Sequence, residues 1–249
     1  MERGGNVKHV GIARAMSKLG YCSRSQASEM IRGGRVKLNG KTPRDPDTPV
    51  QVGRDRIEVD CKIIGAEAKT YLMLNKPRGV VTTASDERGR DTVYSCLSEG
   101  LPWVVPVGRL DKASEGLLLM TNDSEWGARI TDPKTHLDKT YHVHVGAAVD
   151  ELLLVAMTKG ILTGDGDILR AKHARVLRAG QHNTWLEIVL DEGKNRQIRR
   201  ILQHFEIEVL RLVRVAIGPL ILGKLTKGNY RSLTSEEKSA MDRAIEYFS

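Results

Sequence analysis

Residues 107–123, Val-Gly-Arg-Leu-Asp-Lys-Ala-Ser-Glu-Gly-Leu-Leu-Leu-Met-Thr-Asn-Asp, constrain this chain more than any other stretch. A turn glycine and a fixed cation, Gly108 and Arg109, precede an acid, Asp111. A small-residue step, Ser114 and Gly116, follows it, and an apolar run from Leu117 to Met120 then reads as a strand. A carboxylate held beside an arginine at the mouth of a strand is placed to be an ionised nucleophile, because a nearby opposite charge favours its charged form. The spacing also fits a surface turn in which Arg109 and Asp111 merely pair, and structural ion pairs of that kind are common.

The charge is unevenly spread. Residues 1–44 hold ten Lys/Arg and two acids, the whole formal surplus of +8, and the remaining residues balance. A basic module ahead of a neutral body suits a polyanion such as nucleic acid, although a solvated basic face has the same composition. At 249 residues the chain is long enough for two modest domains or one large one. No apolar run approaches the ~20 residues of a membrane span, and Met-Glu-Arg-Gly-Gly-Asn lacks the apolar core of a signal peptide. Cys22, Cys61 and Cys96 form no C-x-x-C pair, so neither structural zinc nor a disulfide framework is expected, and a reducing cytoplasm fits best.

Ile12, Ala15, Met16 and Leu19 follow helical spacing up to Gly20. Ser23 or Ser25 can cap a second helix that stops at Gly33-Gly34. Val36-Lys-Leu38 then precedes Asn39-Gly40, a tight-hairpin signal, and Ile57-Glu-Val59 reads as a last short strand. Two short helices and a small sheet, with Arg14, Lys18, Arg24, Arg32, Arg35 and Lys37 clustered, resemble the S4 RNA-binding domain. The resemblance covers residues 8–60, and those six cations are the RNA-binding residues it implies.

Residues 61–70, with no clear period, read as a linker. Beyond it the pattern predicts strands at 71–74, 80–83, 137–145, 172–178, 184–190 and 207–215. Helices are expected at 150–159, with Asp150 as cap, and from about Asn195 to His204. Antiparallel-looking strands with few helices predict an α+β body with a mixed, mainly antiparallel sheet over 71–249.

Two further segments carry chemistry. Lys139-Thr140-Tyr141 places an aromatic residue on a polar strand, in a chain that is only 4% aromatic. An amphipathic strand residue half in the core would have the same pattern. Asp191-Glu-Gly-Lys-Asn-Arg-Gln-Ile-Arg-Arg-Ile201 is a strand end, a glycine turn and a helix start carrying Arg196, Arg199 and Arg200; helix starts favour anions. An exposed basic helix is the plain alternative. His142 and His144 share a strand face but have no third ligand nearby, and Asp165-Gly-Asp167 is too short for a calcium loop.

With Asn75-Lys-Pro-Arg-Gly79 opening the second domain, these strings stand in the order of the RsuA/RluB/RluF group of ribosomal pseudouridine synthases, which the chain resembles over nearly its whole length. The resemblance implies isomerisation of a uridine in ribosomal RNA, without metal or cofactor. The N1–C1′ bond breaks, the uracil turns, and C5 joins C1′. It implies Asp111 as the catalytic carboxylate, adding to C1′ or C6 or assisting removal of the C2′ proton. Tyr141 would stack on the uracil, and Arg199 would be the ion-pair partner of Asp111, with Arg196 as fallback. Ile198 would pack beside the base. Lys76, Arg109, Lys139, Lys194, Arg196 and Arg200 would contact RNA, and Arg211, Arg214 and Arg231 would line its path.

The ending Leu210-Arg-Leu-Val-Arg-Val-Ala-Ile-Gly218 looks nearer the large-subunit members, which points to 23S rRNA. The expected partner is ribosomal RNA or a pre-ribosomal particle, with no membrane and a monomer as the default. Two rivals remain at this stage: an S4-anchored assembly factor whose catalytic fold has lost activity, and an enzyme of the same fold acting on tRNA.

Overall fold

A computed structural model of the chain describes residues 9–84, 86, 88–164 and 166–246. The N-terminal hexapeptide, Lys8 at the start of the first expected domain, Glu87 of the polar loop after the second domain's opening, Asp165 of the Asp165-Gly-Asp167 turn and residues 247–249 lie outside the described residues. The chain forms two compact units, residues 1–70 with 99–105 and 121–124, and residues 71–98 with 106–120 and 125–249.

The first unit contains β1 (Val10–Gly11), α1 (Ile12–Lys18), α2 (Arg24–Arg32), β2 (Val36–Leu38), β3 (Pro49–Val50), β4 (Ile57–Val59) and β5 (Lys62–Ile64). Ser23 is the cap of α2: its hydroxyl accepts from Gln26 N at 3.1 Å, and Gln26 Oε1 accepts from Ser23 N at 3.0 Å, which satisfies two helix-start donors reciprocally. Ile12, Ala15, Met16, Ala27 and Ile31 are buried together with Val36, Val50, Ile57 and Val59. Asn39 (φ 50°) and Gly40 (φ 81°) do form a tight turn, with Leu38 and Lys41 exchanging backbone bonds. No hairpin arm follows, and β2 pairs with β4 instead. The would-be arm holds Pro43, Pro46 and Pro49, each lacking the N–H a strand must donate. The stretch read as a linker opens with β5, the third strand of this sheet, and Ile64 packs on the core.

The second unit's elements are β6 (Tyr71–Lys76), β7 (Val105–Val107), β8 (Glu115–Thr121), α3 (Ser124–Thr131), β9 (Lys139–Val145), α4 (Glu151–Lys159), β10 (Ile161–Leu162), β11 (Ile168–Leu169), β12 (His173–Ala179), β13 (Thr184–Leu190), α5 (Gln197–His204), β14 (Val209–Ile217), β15 (Leu220–Ile221), β16 (Tyr230–Ser232) and α6 (Ser235–Glu246); β7 and β8 and the start of α3 run on into stretches grouped with the first unit. Its main sheet has nine strands in the order β12-β13-β9-β14-β8-β6-β16, with β15 on β14 and β7 on β8. β14 and β8 run parallel, whereas β12–β13, β13–β9, β9–β14 and β6–β16 are antiparallel, giving the mixed, mainly antiparallel α+β body expected. Val80 to Thr83 is not a strand. Gly79 (φ 97°) turns the chain there, leaving one bridge, Val81 to Thr92, ahead of a 3₁₀ turn at Val93–Cys96.

Two apolar layers hold the sheet. Val143, Val145, Leu186 and Ile188 pack with Met157 of α4 and Ile198, Ile201 and Leu202 of α5. Met73, Leu117 and Leu119 pack with Trp126 and Ile130 of α3 and Met241 and Ile245 of α6. The parallel pair is unusually close: Gly116 (φ 104°) faces Arg214, and a Cβ at Gly116 would lie 2.2 Å from the Arg214 carbonyl oxygen. Only glycine fits that conformation and that approach.

Candidate active site

Asp111 lies in the turn leading into β8, and that turn is fixed almost entirely through its backbone. Thr82 Oγ1 donates to Leu110 O at 2.8 Å and accepts from Leu110 N at 3.3 Å. Gly79 N donates to Lys112 O at 2.8 Å, and Arg199 Nη2 to Ala113 O at 3.2 Å. Ser114 N closes the turn on Asp111 O at 2.9 Å. The carboxylate itself is 35% exposed, so it reaches solvent while its backbone is held.

Lys76 sits beneath this turn with no exposed surface, and its ammonium donates to Pro77 O (3.2 Å), Asp111 O (3.1 Å) and Ser114 O (2.9 Å). Lys76 is not the RNA contact that the resemblance implies, because it is fully buried and all three of its donors are spent on carbonyls inside the fold. Burial pushes its pKa down to about 8, against the pull of Asp111, Cys96 and Glu115. Between pH ~8 and the free lysine range near ~10.4, the unfolded chain then binds more protons than the folded one, so stability rises with pH across that window. Lys76→Met is expected to destabilise by about 2–4 kcal/mol, because buried carbonyls lose their donors. Urea denaturation at pH 7.5 and 10 checks both statements: the stability of wild type relative to the variant should grow at the higher pH, and a flat or falling difference would contradict the assignment.

Tyr141 lies on β9 opposite Ile188 of β13 and Arg214 of β14. The α5 helix begins two residues later than expected, at Gln197, with Arg196 as its cap in the left-handed region (φ 49°). These elements enclose a cleft of about 690 Å³. Asp111, Tyr141, Arg199, Arg109, Lys139, Lys194, Arg196 and Ile198 of the sequence-predicted set all line it. Arg200 and Lys76 are absent from that lining. Arg200 bonds Thr163 Oγ1 (3.1 Å) and Asp167 Oδ2 (2.9 Å): one position beyond Arg199, it points its charge at the β10–β11 hairpin.

The cation nearest the Asp111 carboxylate is Arg196, with Nη1 3.9 Å from Oδ2. Arg199 was the expected partner, but its guanidinium is committed to Ala113 O and, at 3.5 Å, Val209 O, so it braces the turn rather than pairing with the acid. Burial lowers the Arg199 pKa and Arg196 adds to that, with Asp111 opposing. Lys139 is likewise pushed down by burial and by the charge of Arg214.

Arg214, only 6% exposed, also lines the cleft, with Nε donating to Leu117 O at 2.7 Å. Its companions in sequence are elsewhere: Arg211 makes paired 3.1 Å bonds to the buried Glu115, which Lys227 also contacts at 2.5 Å, and Arg231 pairs with Glu237. The apolar walls, Leu190, Leu212 and Ile217, and the Thr82 latch went unread. Nothing local in the sequence marks them, because they reach the site through sheet register. His144 stacks on Trp185 (4.8 Å, 5° between planes), and His142 lies 3.5 Å from Glu187. In the first unit Arg14, Arg24, Arg32, Arg35 and Lys37 are exposed and Lys18 is half-buried; Arg35 also forms a bidentate pair with Asp60. Among the described residues, no helix is long and apolar enough to cross a membrane, and no three His, Cys, Asp or Glu side chains are grouped to hold a metal.

A family model described as RNA pseudouridylate synthase matches residues 70–204, and an S4 domain model matches residues 10–55. Over 240 residues, 96% of each chain, the sequence is 38% identical to an uncharacterized RNA pseudouridine synthase of Aquifex aeolicus. It is 35% identical over 228 residues, 91% of this chain and 93% of the relative, to the ribosomal large subunit pseudouridine synthase B of Bacillus subtilis. A crystal structure of a pseudouridylate synthase aligns with a TM-score of 0.65 at 30% identity, covering 93% of this chain and 99% of that one.

Proposed function

Because this chain belongs to the RNA pseudouridylate synthase family and carries an S4 domain, we propose that it isomerises a specific uridine of large-subunit ribosomal RNA to pseudouridine. The observation that carries the reading is the convergence of Asp111, Tyr141 and Arg199 from a turn, a strand and a helix on one cleft. The ribosomal large-subunit name of the Bacillus subtilis relative supports the choice of RNA.

In this reading residues 8–60 grip RNA through Arg14, Lys18, Arg24, Arg32, Arg35 and Lys37, and residues 71–249 carry out the chemistry, in the cytoplasm and as a monomer. The target uridine leaves its stack at a cost of a few kcal/mol and enters the cleft, where Tyr141 gives its ring a stacking partner worth ~1–3 kcal/mol and Ile198 packs beside it. Arg109, Lys194 and Arg196, exposed at the same cleft, suit the flanking phosphates. The Asp111 carboxylate acts at the sugar: an oxygen adds to C1′ as the base departs with the N1–C1′ electron pair, or it takes the C2′ proton. The uracil turns and C5 bonds to C1′ as the Asp111 oxygen departs or the C2′ proton returns; the C5 hydrogen then leaves as a proton and N1 takes one up. Arg196 stands 3.9 Å from the carboxylate, and Arg199 keeps the turn in place.

Tritium release from RNA labelled at uridine C5 tests this directly, since the new bond expels that hydrogen. Large-subunit RNA or its precursor particle is expected to release tritium to a low, fixed stoichiometry, and binding should weaken steeply with salt. Release from tRNA alone would move the substrate to the tRNA rival. No release from rRNA, precursor particles or tRNA would favour an assembly factor.

A further inference from the structure

Two guanidinium nitrogens in the wall of the cleft are buried without an acceptor, Nε of Arg199 and Nη2 of Arg214. Arg199 has its brace role already, through Ala113 O and Val209 O. Arg214 is different. Its one bond, Nε to Leu117 O at 2.7 Å, ties the guanidinium to β8, and among the described residues no carboxylate lies within 4.0 Å of it. A permanently charged fork with an orphaned donor, nine-tenths buried, is costly unless an electron-rich group arrives to meet it.

The position favours the base over the phosphate backbone. Arg214 lies opposite Tyr141 in the sheet register, and Ile198, Leu212 and Ile217 line the same cleft. A flipped base travels into such a pocket while its phosphates stay with the strand, near the exposed Arg109, Lys194 and Arg196. We propose that Arg214 is a further catalytic residue, donating to a carbonyl oxygen of the uracil and stabilising the negative charge that the base acquires on leaving; this rests on the pseudouridine synthase reading above. When N1–C1′ breaks, its electron pair stays on the base and spreads to O2 and O4. C1′ gains an Asp111 oxygen, or a double bond to C2′ as the C2′ proton leaves. C5 then bonds to C1′ as the C1′–O bond to Asp111 breaks, or as C2′ of the glycal takes its proton back; C5 loses its hydrogen as a proton and N1 gains one, so the base ends neutral and the charge on Arg214 is needed only in between. A donor fixed in an apolar wall acts most strongly on charge that develops there.

Arg214→Met is expected to lower the single-turnover rate by about 10²–10³-fold, the loss typical of one such donor, with little change in RNA affinity. Arg214→Lys, which keeps the cation but not the fork, should fall between. The decisive measurement pairs the variant with the substrate atom. Transcripts carrying 4-thiouridine or 2-thiouridine replace O4 or O2 by sulfur, a poorer acceptor. Wild type should lose rate on one of the two, and Arg214→Met should show no further loss on that same RNA. A thio penalty of equal size in wild type and variant would overturn the proposal and leave Arg214 a structural residue. So would less than tenfold loss in Arg214→Met while wild type and Asp111→Asn behave as the proposed function requires. Failure of wild type on every unmodified RNA is a separate result, which removes the reaction and this role with it.

Discussion

Asp111→Asn should abolish isomerisation, with a loss of about 10⁴-fold or more in single-turnover rate, the scale at which an essential nucleophile or base is missed. The substitution is nearly isosteric and spares the turn, whose tethers run to the backbone: Lys76 Nζ and Ser114 N both bond the Asp111 carbonyl oxygen, not its carboxylate. RNA affinity and melting temperature should therefore match wild type, and filter binding beside tritium release checks this. Release persisting in the variant would move the chemistry to another acid in the cleft, of which Asp191 and Glu192 are the candidates.

Gly116→Ala is expected to destabilise by ~3 kcal/mol or more, combining backbone strain at φ 104° with a Cβ placed 2.2 Å from Arg214 O and 2.8 Å from Arg214 N. Neither neighbour is a side chain that can swing away. Relief requires β8 and β14 to part, which displaces Asp111 and Arg214 together, so activity should disappear with stability. Gly89→Ala is the matched control: Gly89 also has positive φ (65°) but meets nothing within 4 Å, and it should lose only ~1–2 kcal/mol. Urea unfolding of both decides the matter; equal losses would show that conformation alone, not the strand approach, makes glycine necessary at 116.

The parts legible in the sequence are those whose signals are local. A capping serine at 23 or 25 announces a helix start, Asp150 another, and the runs at 139–145 and 184–190 alternate as strands do. The residues converging on the cleft were legible because their strings stand together in one order. What stayed hidden depends on pairing at a distance. Arg211 and Arg214, three residues apart on β14, fall on opposite faces by plain alternation, but which of the two faces meets the cleft depends on pairing with β9 and β8, which no periodicity reveals. Lys76 looked like an exposed turn cation because a lysine's burial depends on carbonyls 35 and 38 residues away. The α3 and α6 helices begin with Ser-Glu and carry few apolar residues, so their short buried stripes, Trp126 with Ile130 and Met241 with Ile245, were easily missed.

The tethers on the Asp111 turn span 28 residues to Thr82, 35 to Lys76 and 86 to Arg199. Closing such distant contacts costs chain entropy before any of them contributes stability, so they form together and late. A chain emerging from synthesis acquires its basic N-terminal module long before residue 199 exists to complete the turn. In time, therefore, the molecule is an RNA-binding chain first and a catalyst only when the last of these distant contacts has closed. On refolding, tritium release should be the final property to return, after secondary structure and after affinity for RNA.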